Sequence, residues 1–159
     1  MATRNFKVVN TSVKKVDALA LALGKPLFVA DFKPDDALYV KMLWSPHAHA
    51  RIKSVDIRAA ESLPGVKAVL YHGNVPRVPH TTAGQGFPEP SPYDTFMFDT
   101  KVRYVGDRVA AVAAVTPEIA AAAVAAIKVE YEILPAVFSI DDALRPGAPV
   151  IHDESEAHV

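Results

Sequence analysis

The chain has 159 residues, of which 50% are hydrophobic and 22% are charged, and its formal net charge is -1. This length suits a single domain spanning residues 1–159, and the composition is that of a folded globular protein. The charge balance gives no reason to expect a nucleic-acid partner, and no apolar stretch is long enough to predict a membrane span. The absence of cysteine excludes disulfides, thiolate zinc sites and iron–sulfur ligation by this stretch. The N-terminus lacks the apolar run of a secretion signal, so we expect a cytoplasmic protein.

The first half of the chain is predicted to form two short helices and three strands. Residues 18–24 are an alanine–leucine run closed by glycine, which predicts a helix that stops there. Asp56 can cap a second short helix that extends through Glu61. Runs of strand-forming residues, bounded by proline or glycine turns, lie at 38–44, 51–57 and 66–71.

The second half repeats the order strand, helix, strand. Residues 103–105 are predicted to enter a Gly106-Asp107 turn, followed by an apolar central strand at 109–115. Thr116 is the expected N-cap of a helix over residues 117–128 with one apolar stripe.

Beyond this helix, we predict one more strand and a final helical turn. At 129–133, apolar residues alternate with Glu130 and Glu132, which indicates a strand with one solvent-exposed face. A helical turn is expected at 141–144, and residues 150–159 resemble a linker.

A proline-rich excursion at residues 73–99 separates the two halves. Loops of this length inside a compact domain are usually either functional or ordered by a neighbour. We expect a neighbour, because the excursion carries apolar side chains that need cover, namely Phe87, Tyr93, Phe96, Met97 and Phe98.

The histidines are the first candidates for chemistry. His47 and His49 are two residues apart and could both ligate a metal if they lay on a strand. No third ligand completes a set, and the Ser-Pro-His-Ala-His-Ala sequence is typical of a turn. A structural turn is therefore the prediction.

The acidic pairs and the glycine motifs are also predicted to be structural. No acidic pair has a neighbouring base or nucleophile, and the glycine motifs are too short to be phosphate loops. The sequence thus predicts no catalytic, cofactor-binding or metal-binding residue. The motifs considered are Asp35-Asp36, Glu130/Glu132, Asp141-Asp142, Gly84-Gln85-Gly86 and Gly106-Asp107-Arg108.

Four longer motifs occur in a fixed order along the chain. They lie at 45–52 (Ser-Pro-His-Ala-His-Ala-Arg-Ile), 63–66, 101–110 and 129–137, with shorter ones at 17–18, 24–26, 31 and 143–152. In this order, the motifs resemble the N-terminal α/β hammerhead domain of the xanthine dehydrogenase/aldehyde oxidase/carbon monoxide dehydrogenase family. The similarity runs roughly from residue 9 to 155.

This resemblance implies both a fold and a function. The implied fold is α+β, with a mixed sheet, two main helices on one face and a long proline-rich loop. The implied function is that of a non-catalytic domain that packs against the molybdenum-cofactor domain of the large subunit, and residues 87–98 and 47–50 would supply part of that contact. The family transfers a metal-bound oxygen to an electron-poor carbon and uses molybdopterin, [2Fe-2S] clusters and often FAD. None of these groups is expected to bind this chain, and no family role is carried over to Gln85.

Other interpretations remain open at this stage. The chain could be an expressed fragment, a truncated gene product or a natural subunit of a split enzyme. It could also be a stand-alone binding module without molybdenum chemistry, or a small hydrolase or lyase that uses His47 or His49. The substrate-pocket residues are not in this stretch, although the Gly24-Lys25-Pro26 variant hints at a purine-type relative.

Overall fold

The structure is a computed structural model that describes residues 9, 11–26, 28–32, 34–82 and 93–152. The chain divides into two compact units, residues 1–37 and residues 38–159. Among the described residues, no helix combines the length and the apolar character that crossing a bilayer requires. A single domain over the whole chain stays a prediction.

The first unit contains helix α1, Ala18–Ala22, which confirms the predicted N-terminal helix. Gly24 ends it with a φ of 65°, a left-handed conformation that costs glycine little. A short 3-10 turn follows at Val29–Asp31, where the Asp31 carboxylate accepts a hydrogen bond from the Phe28 N–H at 2.8 Å.

The second unit alternates strands and helices over its described residues, 38–82 and 93–152. All three strands predicted in the first half are present, as are the central strand and the last strand of the second half. In chain order the elements are β1 (Tyr39–Trp44), β2 (Ala50–Asp56), α2 (Arg58–Glu61), β3 (Val66–Tyr71), β4 (Lys101–Val102), β5 (Arg108–Ala114), α3 (Pro117–Ala126), β6 (Lys128–Ile133) and α4 (Ile140–Ala143).

The strands form two three-stranded sheets, in the orders β1-β5-β3 and β4-β2-β6. Every strand pairing within these sheets is antiparallel. The α+β prediction is confirmed, but the single mixed sheet that we expected is replaced by two antiparallel sheets. The β2-α2-β3 and β5-α3-β6 units each pass from one sheet to the other, in opposite directions.

Helices α2 and α3 lie together on one face of the β1-β5-β3 sheet, as predicted for the two main helices. The Thr116 hydroxyl oxygen accepts a hydrogen bond from the Ile119 N–H at 3.2 Å, which confirms the predicted N-cap of α3. Ala120 and Ala123 are buried, and their small side chains allow the helix to approach the strands closely.

Among the described residues, two clusters of buried apolar side chains share neighbours. One lies between the helices and the first sheet, and the other includes residues of β2, β4 and β5. Leu43, Val55 and Val129 pack against both clusters, so the two sheets share a continuous interior. The buried members are Ala60, Val69, Ala110, Val112, Ala123 and Ile127 in the first, and Ala50, Ile52, Val102 and Val109 in the second.

Two local predictions were wrong. The strand expected at 103–105 is instead β4 at Lys101–Val102. It ends there because the Asp107 carboxylate accepts a hydrogen bond from the Arg103 N–H at 2.9 Å and closes a turn. Ile133, expected on the buried face of β6, is 60% exposed at the end of that strand.

Candidate functional site

The two candidate histidines lie in the turn between β1 and β2, as the sequence predicted. The Ser45 hydroxyl fixes this turn by donating to the His47 carbonyl oxygen at 2.9 Å and accepting from the His47 N–H at 3.0 Å. The His47 ring packs edge-on against Tyr131, with ring centroids 4.8 Å apart. Among the described residues, no group of three histidine and carboxylate side chains could hold a metal ion.

His49 connects this turn to the end of β6. Its side chain is buried, and its Nδ1 lies 2.6 Å from the Pro135 carbonyl oxygen, so Nδ1 carries the donated proton. Its backbone carbonyl oxygen also accepts from the Leu134 N–H at 2.9 Å. The Nε2 atom is buried without a hydrogen-bond partner.

The strongest electrostatic feature is an aspartate in the long excursion. Asp99 is 7% exposed and accepts hydrogen bonds from Arg77 Nε at 3.1 Å, Arg103 Nη1 at 3.0 Å and the Thr100 N–H at 2.8 Å. Burial raises the pKa of Asp99, but these three donors and the positive charge of Arg103 outweigh it, so the pKa lies below its usual value. Asp99 is therefore a fixed anion at neutral pH.

Asp99 also joins the two limbs of the excursion, residues 73–82 and 93–99. The Arg77 guanidinium lies over the Phe96 ring, 3.7 Å from its centroid, in a cation–π contact. Further out, His80 and Thr95 exchange two backbone hydrogen bonds of 2.8 and 3.1 Å. The two described limbs are thus held together by contacts within this chain.

A cavity of 280 Å³ lies beside this cluster, and its lining is charged. Asp107 accepts backbone hydrogen bonds from Arg103 and Arg108, and Asp94 lies 3.4 Å from His152. Each of the three lining carboxylates therefore has a partner within the described part of the chain. The lining residues are Thr82, Asp94, Thr95, Phe96, Asp99, Arg103, Tyr104, Asp107, Arg108 and His152.

The other sequence candidates lie apart from this cavity or outside the described residues. Glu130 and Glu132 are exposed on β6, and Glu130 accepts a hydrogen bond from the Ser54 hydroxyl at 3.0 Å. Asp142 lies in the first turn of α4, where its N–H donates to the Ser139 hydroxyl oxygen. Asp35-Asp36 is exposed in the first unit, and Gly84-Gln85-Gly86 lies outside the described residues.

The structure corrects the proposed interface residues. Phe96 and Phe98 are 8% and 4% exposed, so they are covered by this chain rather than by a neighbour. His49 and Ala50 are likewise buried within it. Of the excursion's described aromatic and methionine side chains, Tyr93 and Met97 are half-exposed, and Phe87 lies outside the described residues.

Sequence reasoning missed the Asp99 cluster. Arg77 and Asp99 are 22 residues apart in the chain, so no local pattern joins them. The only available signal was an acidic residue in an apolar run, between Phe98 and Thr100, in a loop that contains arginine.

The described fold combines two antiparallel sheets with a buried ion pair between Asp99 and Arg103. The model of the family "Aldehyde oxidase and xanthine dehydrogenase, a/b hammerhead domain" matches residues 23–135. The chain belongs to this family, as the four ordered motifs indicated.

The chain is similar to segments of longer proteins. A probable hypoxanthine oxidase of Escherichia coli is 48% identical over 98% of this chain, and the chain spans 16% of that relative. The large molybdopterin subunit of nicotinate dehydrogenase from Eubacterium barkeri is 34% identical over 98% of this chain, which spans 35% of it.

Solved structures show the same domain inside a longer chain. Quinoline 2-oxidoreductase from Pseudomonas putida aligns with a TM-score of 0.74 at 34% identity, over 91% of this chain and 18% of its own. Aldehyde oxidoreductase from Desulfovibrio gigas aligns with a TM-score of 0.74 at 32% identity, over 87% and 16%. The fold is therefore that of the hammerhead domain of molybdenum hydroxylase large subunits.

Proposed function

We propose that this chain serves as the non-catalytic hammerhead domain of a molybdenum hydroxylase and packs against the molybdopterin-binding part of the large subunit. The observation that carries the proposal is the match to only 16% of the hypoxanthine oxidase relative, combined with a buried Asp99 carboxylate that is paired with Arg103 and an Asp107 carboxylate that is bound by a backbone N–H. A domain of this kind contributes surface and rigidity rather than reacting groups.

The complete enzyme would hold molybdopterin, [2Fe-2S] clusters and often FAD outside this stretch. The described residues do not fit these groups, because the Asp99 carboxylate beside the 280 Å³ cavity is already paired with Arg103 and the chain has no cysteine. The further partners would then be iron–sulfur and flavin components, and the complete enzyme would be located in the cytoplasm.

A purine is the substrate class we propose for that enzyme. Two features support it, namely the 48% identity to a probable hypoxanthine oxidase and the Gly24-Lys25-Pro26 variant. The complete enzyme should hydroxylate hypoxanthine in preference to nicotinate or an aldehyde. Equal or better turnover of the latter two would contradict this part of the proposal.

The main experiment is to tag the protein at its native locus and purify it from its source under mild conditions. Intact-mass analysis, molybdenum content and identification of co-purified chains are then measured together. A molybdopterin-binding region, present on the same chain or a bound one with stoichiometric molybdenum, is the expected result. A lone domain without molybdenum would overturn the proposal in favour of a stand-alone binding module.

A further inference from the structure

The β1-β5-β3 sheet has a second face, opposite to the one that carries α2 and α3. Strand register places two rows of three side chains on it, and all six are apolar. We call this surface the open face; it comprises Val40, Ala113 and Ala68 in one row and Met42, Ala111 and Leu70 in the other.

The open face lies outside both packed clusters of the described core, and only its central Ala111 is buried, at 5% exposed. None of its six residues belongs to either buried cluster or to the apolar groups packed against them. Val40 is 64% exposed and Leu70 is 42% exposed, and they lie on the two strands that flank β5. Single exposed apolar residues are ordinary, but a contiguous face across three strands marks an interaction surface.

The edges of the same sheet are protected against strand addition. The outer strands β1 and β3 carry the exposed Lys41 and Lys67, and each has a register shift against β5. Lysines and bulges at sheet edges discourage pairing with another strand. A partner is therefore expected to pack onto the open face rather than to extend the sheet, which argues against a second copy pairing edge to edge.

We infer that the open face is the docking surface for the molybdopterin-binding remainder of the large subunit. The inference rests on the proposed function and names the surface that this function uses. In the aligned Escherichia coli relative and quinoline oxidoreductase structure, the matching segment is only 16% and 18% of the chain, so most of each protein lies outside it. An uncharged apolar face suits a permanent contact with that remainder, because such interfaces resemble domain interiors.

The test exploits the absence of cysteine from this chain. Three single variants, Val40→Cys, Leu70→Cys and Ala122→Cys, are introduced into the enzyme as its source produces it. Ala122 is the matched control, because it is exposed on α3, on the other side of the same sheet. Thiol labelling of each position is followed by peptide mass spectrometry in the native enzyme and after denaturation.

We expect positions 40 and 70 to be labelled at least about tenfold more slowly than position 122 in the native enzyme, and all three equally after denaturation. Labelling of positions 40 and 70 as fast as position 122, in an enzyme that contains molybdenum and the remainder of the subunit, would overturn the docking surface alone. Protection in a particle that contains only copies of this chain would assign the face to self-association and overturn it as well. Absence of a molybdopterin-binding region would overturn the proposed function together with the inference.

Discussion

Loss of the Asp99 carboxylate should destabilise the fold. The Asp99→Asn variant removes the buried charge that accepts a hydrogen bond from Arg103, whose side chain is 7% exposed, and the free energy of unfolding should fall by about 3 kcal/mol. Urea unfolding measures this change. Asp56→Asn is the matched control, because its partner Arg58 is 87% exposed and the ion pair is solvated. Equal losses in the two variants would contradict a buried role for Asp99.

The Asp99 carboxylate also determines how the free energy of unfolding changes in acid. The pKa of Asp99 is lowered in the folded chain, so the unfolded chain binds a proton at higher pH than the folded one does. Its contribution is complete above the unfolded pKa of about 3.9 and is lost as pH falls through the lower folded value. The stability difference between wild type and Asp99→Asn should therefore stay constant at neutral pH and shrink only in acid.

The pKa of His72 should lie below that of an ordinary exposed histidine. Burial lowers its pKa, and the charge of Asp99 raises it by a smaller amount, so the net pKa lies below the usual value. Protonation then favours the unfolded chain, and this residue reduces stability as pH falls below about 6.5. NMR titration of the ring should give a lower midpoint in the folded chain than in urea; a higher one would refute the assignment.

Gly65, in the turn between α2 and β3, has neither the backbone conformation nor the space for a side chain. Its φ is 91°, and a Cβ would lie 2.8 Å from Ile119 Cδ1 and 2.9 Å from Val115 Cγ2. Gly65→Ala should therefore lower the free energy of unfolding by about 3 kcal/mol, through backbone strain and overpacking together. The variant Gly147→Ala isolates the first of these costs, because Gly147 has a φ of 81° and open space around it. Similar losses at both positions would contradict the packing argument.

At this scale the sequence predicted most elements but not how they assemble. Alternation and capping are local signals, and they located the strands around β2 and β6 and the Thr116 cap. Strand pairing is not local, which is why one mixed sheet was expected where two antiparallel sheets exist. The prediction of a strand at Arg103–Val105 was wrong because the Arg103 N–H donates to the Asp107 side chain. A hydrogen bond of this kind leaves no periodic pattern in the sequence.

For the whole molecule, both described core clusters consist of residues beyond position 37, and α1 has no buried residue. A chain that starts at Leu38 should therefore keep the cooperative unfolding of the second unit, with a change of no more than about 0.5 kcal/mol. Calorimetry of the two lengths measures it. Loss of the cooperative transition would show instead that residues 1–159 act as one domain.

The contacts that join the two limbs of the excursion determine how well the domain tolerates a change in loop length. The two ends of the intervening segment are held together by the His80–Thr95 backbone pair and the Arg77–Asp99 ion pair. A change in the length of this segment is therefore not expected to change the geometry of the sheets. Closure entropy grows only logarithmically with length, by about 0.6 kcal/mol for each doubling. Insertions or deletions between residues 82 and 93 should therefore change the free energy of unfolding by only a few tenths of a kcal/mol, or about 0.6 kcal/mol for a doubling in length.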